Sequence, residues 1–250
     1  MAKEAVEGEL NIDPMHQFDI KYFFDIDLGS ANMGFTNSAL FAFIAVAAIV
    51  VFLWTAVSGH SLVPSRMQSI AESIYEFVRN MVRDTAGDEA LKYFPYIFTV
   101  FIFILACNLI GMIPYSFTVT SHFAVTVFLA LSVFISVTVI GFMKHGMHFF
   151  SFFWPAQAPG PLRPILCIIE VISYLARPIS HSIRLGANMM AGHAVLKVIG
   201  AFAGAGALLV VPSVLGIVGL TALEVLVAVL QAYVFTILTC VYLNDALNLH

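Results

Sequence analysis

The sequence predicts an all-α membrane protein with about five membrane helices and one amphipathic surface helix. Of the 250 residues, 60% are hydrophobic and only 10% are charged, whereas about a quarter of the residues of a soluble domain are charged. Several apolar runs reach the roughly 20 helical residues that a crossing of the hydrocarbon core needs. The composition excludes a soluble globular domain, and the 11 scattered Lys and Arg residues form no nucleic-acid-binding patch.

The chain opens with an acidic N-terminal segment, residues 1–36, which lacks both the apolar core of a signal peptide and the Arg-rich pattern of a transit peptide. The first crossing is predicted at 39–57. Segment 66–86 spaces its apolar residues at helical intervals among charged ones, which indicates a helix on the membrane surface or against a partner. Further crossings are predicted at 93–114 and 120–143.

The last two apolar runs of the membrane domain (37–250) are unusually long. As helices, 165–203 and 207–247 would each measure about 60 Å, twice the hydrocarbon thickness, and an ordinary tilt of about 20° cannot absorb that excess. Either these helices are broken, or they form a steeply inclined hairpin against another protein. The second interpretation is favoured, because a hairpin lying flat in lipid would expose its charged side chains.

The distribution of Lys and Arg predicts the orientation. Loop 58–92 holds four of them and loop 144–164 holds two, whereas the N-terminal tail holds only two. The positive-inside rule then places both loops in the cytoplasm and the N-terminus outside. Five crossings leave the C-terminus in the cytoplasm.

One face of run 165–203 carries a file of polar side chains. At 100° per residue, seven polar residues lie within about 60° of Arg184 across five turns. They are Glu170, Ser173, Arg177, Ser180, His181, Arg184 and Asn188. Charged side chains at the centre of a membrane cost about 2.5–3.5 kcal/mol each on insertion scales, and they therefore indicate a functional site.

The last run carries a second polar stripe. It consists of Thr221, Glu224, Gln231, Thr239 and Tyr242, all within about 60° of Glu224. Arg184 has no carboxylate one turn away on its own helix, so its counter-charge must come from elsewhere. Two sources remain open, namely Glu224 and a carboxylate of another subunit.

Some polar residues have a structural interpretation beside the functional one. Glu170 and Arg177 fit either a role in ion passage or a purely structural ion pair. His193 lies on the opposite side of its helix from Arg184, and an imidazole near the Glu of a neighbouring helix suits a proton relay. Asn108 is expected to hydrogen-bond a neighbouring helix or a loosened backbone. The three cysteines show no CxxC pairing, so neither a metal site nor a disulfide is predicted.

Four segments carry a resemblance to a known family. They are ARPISHSIRLGANMMAGH (176–193), LEVLVAVLQAYVFTILTCVYLND (223–245), VPSRMQSIAESIYEF (63–77) and FILACNLIGMIPY (103–115). Together with the Arg–x–x–x–Asn–x–x–x–Gly spacing of residues 184, 188 and 192, they resemble subunit a of the F-type ATP synthase membrane sector. The resemblance extends over essentially everything after about residue 36.

The resemblance implies a role for each polar residue. Arg184 would be the essential arginine that faces the carboxylates of a rotating c ring. Asn188, His193, Glu224 and Gln231 would line an aqueous half-channel from the outer side.

The second half-channel would open to the cytoplasm, with Glu170 on it, and His181 is also assigned to the proton path. Structural or secondary roles are assigned to Arg177, Ser173, Tyr242 and Asn108. Many bacterial members carry Glu at the position of His193 and His at the position of Glu224. In this chain the two residue types are exchanged, as in the alphaproteobacterial and mitochondrial branch. The exchange keeps one acid and one imidazole.

The predicted function is that of a non-catalytic, proton-conducting stator subunit with no cofactor and no metal. The implied partners are the c ring, b-type subunits of the peripheral stalk, other ATP synthase subunits, lipid and protons, and the implied location is the bacterial inner membrane. The alternative is a secondary ion transporter, which would need inverted repeats, and the chain shows no matching halves. Hydrolase motifs such as HExxH and GxSxG are absent.

Overall fold

A computed structural model of the chain describes residues 22–27, 32–58, 65–113, 116–154, 163–204 and 207–248. Most of the predicted acidic N-terminal segment therefore lies outside the described residues. The same holds for the predicted end of a crossing at Pro114 and for part of the loop 144–164.

The described part of the chain contains two short strands and six α-helices. Their bounds are β1 Tyr22–Asp27, β2 Asn32–Thr36, α1 Asn37–Val57, α2 Arg66–Ala86, α3 Phe94–Gly111, α4 Phe123–His145, α5 Arg163–Gly204 and α6 Ala207–Leu247. Three 3₁₀ segments, Asp88–Tyr93, Val119–Ser121 and Gly146–Phe153, precede α3, precede α4 and follow α4, respectively.

Five of these helices are long and apolar enough to cross a membrane, namely α1, α3 with its preceding 3₁₀ turn, α4, α5 and α6. The predicted fold class, an all-α membrane protein with about five crossings, is confirmed. Helix α4 begins at Phe123 rather than at residue 120, because Val119–Ser121 form a 3₁₀ turn.

Strands β1 and β2 pair in an antiparallel hairpin directly before α1, with Phe24 opposite Phe35 and Ile26 opposite Met33. No strand was predicted in residues 1–36. Five or six residues per strand give only a weak periodic signal, and the acidic composition of the segment obscured it further.

Helix α2 is the amphipathic helix, and its apolar side packs onto the bundle. Ser65 caps its N-terminus, because its hydroxyl oxygen accepts a hydrogen bond from the backbone N–H of Gln68 at 3.3 Å. Val78 and Val82 are fully buried in the main core. Gly87, at φ +80°, ends the helix in a conformation that favours glycine.

Helices α5 and α6 are continuous over 42 and 41 residues, although each contains an internal proline, Pro178 and Pro212. Broken helices were one of the two interpretations open for these runs. The two helices are continuous, each about 60 Å long, so the interpretation of broken helices is wrong, and the inclined hairpin stays a prediction.

The bundle has two distinguishable ends. At one end, the 3₁₀ turn Val119–Ser121 packs near the start of α1, where Ala45 and Cys107 share a small core with Val119. We call this the turn end. At the other, the tail end, His145 of α4 hydrogen-bonds the Leu247 carbonyl of α6 at 3.1 Å.

Candidate functional site

A group of polar side chains lies between α5 and α6 toward the turn end. The Asn188 amide donates to Oε1 of Gln231 at 2.9 Å, which joins the two polar stripes directly. One turn further along α5, Gly192 lies against Glu224, so that a Cβ at position 192 would collide with Oε1 of the carboxylate. A side chain at position 192 would therefore require the Glu224 carboxylate to move.

Both carboxylate oxygens of Glu224 are buried, and neither accepts a hydrogen bond within the described part of the chain. They face a small cavity, whose lining residues are Met112, Asn188, Met189, His193, Glu224 and Val227. A buried carboxyl group without a partner costs free energy. Its retention in an apolar helix points to a role in function rather than in packing.

His193 reaches the same cavity from α5 and meets the turn end of the bundle. Its Nε2 lies 3.0 Å from Oγ1 of Thr118, a buried residue just before the 3₁₀ turn. The structure thus places four of the predicted proton-path residues together, namely Asn188, His193, Glu224 and Gln231.

Asn108 of α3 joins the group from a third helix. It is fully buried, it donates to the Ala228 carbonyl of α6 at 3.1 Å, and it accepts from Thr120 at 2.8 Å. Asn108 was expected to hydrogen-bond a neighbouring helix or a loosened backbone, and its bond to α6 is of the first kind. Ala228 lies one turn beyond Glu224.

A second polar group lies toward the tail end. Arg177 of α5 forms an ion pair with Asp245 of α6 at 3.0 Å, with its guanidinium 4.5 Å from the ring centroid of Tyr242. The ring centroid of Tyr174 lies 5.3 Å from the same guanidinium, and the Tyr174 hydroxyl is 2.6 Å from Oγ1 of Thr138 on α4. The structural alternative for Arg177 was an ion pair with Glu170 of the same helix. The structure instead pairs Arg177 with Asp245 of α6.

His181 is buried beside this second group. Its ring packs edge-on against Phe235 at 4.7 Å and lies 5.2 Å from the ring of Tyr242. Its Nε2 is buried and has no hydrogen-bond partner within the described part of the chain. Glu170 is partly exposed, and Ser173 is exposed.

Arg184 lies on α5 between the two groups and is exposed. Among the residues that the structure describes, no ion pair involves it. Within the described residues, Glu224 does not supply its counter-charge, because both oxygens of Glu224 are buried there without a hydrogen-bond partner. A carboxylate of another subunit stays the predicted counter-charge.

Several residues of these groups were not predicted from the sequence, among them Thr118 and Asp245. Thr118 belongs to the run SFTVTS, whose hydroxyl-rich composition between two crossings was the available signal. Asp245 lies three residues after Tyr242 in the predicted run 207–247, within about 60° of Glu224 at 100° per residue, but it was not included in the polar stripe of that run. Within the described residues, no three His, Cys, Asp or Glu side chains form a group that could hold a metal ion.

The fold and these polar groups define a class of protein: a multi-span membrane protein whose last two helices bring ionisable side chains together inside the bundle. The family model described as "ATP synthase A chain" matches residues 39–244. The chain therefore belongs to this family, the subunit a of F-type ATP synthases.

Curated relatives extend this match to nearly the full length of the chain. An ATP synthase subunit a of Dinoroseobacter shibae is 55% identical over 253 residues, which cover 100% of both chains. That of Rhodobacter capsulatus is 56% identical over 219 residues, covering 85% of this chain and 92% of the relative. The ATP synthase subunit a of Rhodospirillum rubrum is 51% identical over 244 residues, which cover 95% of this chain and 99% of the relative. Membership implies a multi-pass protein of the bacterial ATP synthase membrane sector, with other ATP synthase subunits as partners.

Proposed function

We propose that this subunit conducts protons through two half-channels that meet at Arg184, where carboxylates of a rotating c ring exchange them. The observation that carries this proposal is the arrangement along α5. Two separate polar groups, one toward each end of the bundle, flank one exposed arginine. A passive scaffold would need neither group.

The group at the turn end supplies the residues of an entry path. His193 and Glu224 can both gain and lose a proton, and both line the same small cavity. Asn188 and Gln231 continue the polar surface toward Arg184. The exit path on the tail side would use Glu170 and, about 16 Å further along the same helix, His181.

Arg184 acts as a permanent positive charge, because a guanidinium does not deprotonate in a protein. A ring carboxylate that reaches it is stabilised as an ion and releases its proton to the exit side. The same charge repels protons that would pass directly between the half-channels. Such a leak would waste about 2.3 kcal/mol per proton for each 100 mV of membrane potential.

A steep inclination of the hairpin of α5 and α6 would suit a curved partner such as a c ring, and b-type stalk subunits are further proposed partners. In the proposed orientation, the turn end faces the periplasm and the tail end faces the cytoplasm of the bacterial inner membrane. This orientation agrees with the Lys and Arg distribution.

The decisive experiment measures passive proton flux through the membrane sector in vesicles stripped of the catalytic head. We expect Arg184→Ala to abolish ATP synthesis and to raise passive flux, because a reprotonated ring carboxylate can then pass the open position. Arg184→Lys keeps the charge but loses the planar five-donor fork, so synthesis should fail while flux stays low. Intact assembly of Arg184→Ala with no added flux would refute the barrier role.

A further inference from the structure

Residues 117–121 of the connection between α3 and α4 are buried, which is unusual for a loop. We call residues 116–121 the polar turn. All of them except Ser116 are buried. Loops normally run over the surface, since buried backbone and hydroxyl groups must find partners inside the protein. The buried polar groups of this turn must therefore bond to partners within the protein.

Part of the turn is satisfied by its own neighbourhood. The Ser116 hydroxyl lies 2.6 Å from the Ile110 carbonyl, and the Ser121 hydroxyl donates to the Thr118 carbonyl at 2.7 Å. The turn also closes tightly on α3, because a Cβ at Gly111 would lie 2.8 Å from the Thr118 methyl group. The Thr118 hydroxyl donates to the Gly111 carbonyl at 3.4 Å and also contacts α5, and the Thr120 hydroxyl donates to Asn108 of α3.

These two hydroxyls connect to both helices of the hairpin. Thr118 meets His193 of α5 at 3.0 Å. Thr120 donates to Asn108 at 2.8 Å, and Asn108 donates to the Ala228 carbonyl of α6 at 3.1 Å. A single short turn thus contacts α5 directly and α6 through one fully buried amide.

The hairpin needs such a constraint because its own connection is remote. Glu224 lies 18 residues after residue 206, which is about 27 Å along a helix. A shift of one residue along an α-helix translates a side chain by about 1.5 Å and rotates it by about 100°. Such a shift would take Glu224 away from Gly192 and Gln231 away from Asn188.

We propose that Thr118, Thr120 and Asn108 are positioning residues, which hold α5 and α6 in the register that directs Glu224 at Gly192 and His193 into the same cavity. The functional part of this inference rests on the proposed proton entry path. The register part does not, since it can be measured without proton flux.

A disulfide reporter measures the register in the complete ATP synthase. A Cβ at position 192 would lie 3.1 Å from Cγ of Glu224, so Gly192→Cys with Glu224→Cys lies within reach of disulfide geometry. The native Cys107, Cys167 and Cys240 are replaced by serine in this background. Disulfide yield is then compared with and without Thr118→Val and Thr120→Val.

We expect each valine to lower the disulfide yield, on the order of fivefold at equilibrium, which is the effect of one typical hydrogen bond. Thr120→Ser, which keeps the hydroxyl, should restore the yield. The matched control is Thr126→Val, because Thr126 is equally buried but bonds only the Phe123 carbonyl of its own helix. Unchanged yields in both valine variants would overturn the proposal.

Proton uptake is measured separately with Gly192 and Glu224 intact. We expect uptake to fall in Thr118→Val, Thr120→Val and Asn108→Leu and to recover in Thr120→Ser. If Asn108→Leu fails to assemble, the two valine variants carry the test, since each removes one hydroxyl and nearly keeps the volume. Lower yield with normal uptake would leave the register role standing and refute Glu224 as the entry group.

Discussion

At the residue scale, the contrast between Glu224 and Arg184 is informative. The carboxylate is buried with no hydrogen-bond partner among the described residues, whereas the guanidinium is exposed. The two charges do not neutralise each other within the chain. In the proposed mechanism, the carboxylate exchanges a proton along the entry path, and the arginine meets a carboxylate outside the subunit.

The first prediction at this scale concerns Glu224→Gln. The amide keeps the shape of the side chain but cannot exchange a proton, so we expect proton uptake driven by a potassium diffusion potential to fall by roughly 10²-fold or more. Assembly should be normal, because the carboxylate makes no hydrogen bond within the described residues that the amide would break.

The matched control is Glu76→Gln, which makes the same change at an exposed position of the surface helix α2 and should leave uptake unaltered. Near-normal proton uptake in Glu224→Gln would show that Glu224 is not part of the proton path.

At the element scale, the tail ends of α5 and α6 are held together by Arg177 and Asp245. The two side chains are 16% and 28% exposed, and Tyr242 and Tyr174 flank the guanidinium. The hairpin is thus fixed near its open end by an ion pair, in addition to the hydrogen bonds nearer its closed end.

We predict that Asp245→Asn lowers the thermal unfolding temperature of the purified complex, because a mostly buried guanidinium loses the charge beside it. The cost should be about 1–3 kcal/mol, below that of a fully buried pair. The double variant Arg177→Met/Asp245→Leu should cost less than Asp245→Asn, since it removes both charges.

Arg83→Gln serves as the control, because the Arg83–Asp88 pair is 64% and 74% exposed and such pairs contribute about 0–1 kcal/mol. Equal unfolding temperatures for Asp245→Asn and Arg83→Gln would show that the tail-end pair does not stabilise the hairpin.

At the scale of the whole molecule, a free face of α5 runs past Arg184. Ser173, Ser180 and Ala191 are exposed on it at the same angular position. Small and polar residues permit close approach of another helix, whereas a lipid-facing surface would not require them. The proposed occupant of this face is the c ring.

We predict that Ser180→Cys forms a cross-link with a c subunit that carries a cysteine on its outer helix, in a background with the native cysteines replaced by serine. Close packing against the ring brings this position within reach of a short thiol reagent. Ala47→Cys, exposed on α1, is the control and should give no such product. The reverse pattern, with α1 cross-linked and α5 not, would contradict the proposed arrangement. The products are identified by gel mobility and mass spectrometry.

Much of this protein was determined by its sequence alone. The five crossings, the surface helix and the polar stripes on 165–203 and 207–247 follow from hydropathy and helical periodicity, which are local properties of the chain. The motif around Arg184, Asn188 and Gly192 indicated the family before any contact was known. The strands before α1 were not predicted, because such short segments carry little periodic signal.

Only the tertiary structure decided which polar groups meet. Thr118 contacts a residue 75 positions away, and Asn108 bonds a carbonyl 120 positions away. Arg177 pairs with Asp245, and both oxygens of Glu224 stay without a hydrogen-bond partner among the described residues. The physical reason is that contacts between helices depend on their axial register and rotation. Many packed side chains set these together, so no single stretch of sequence records them.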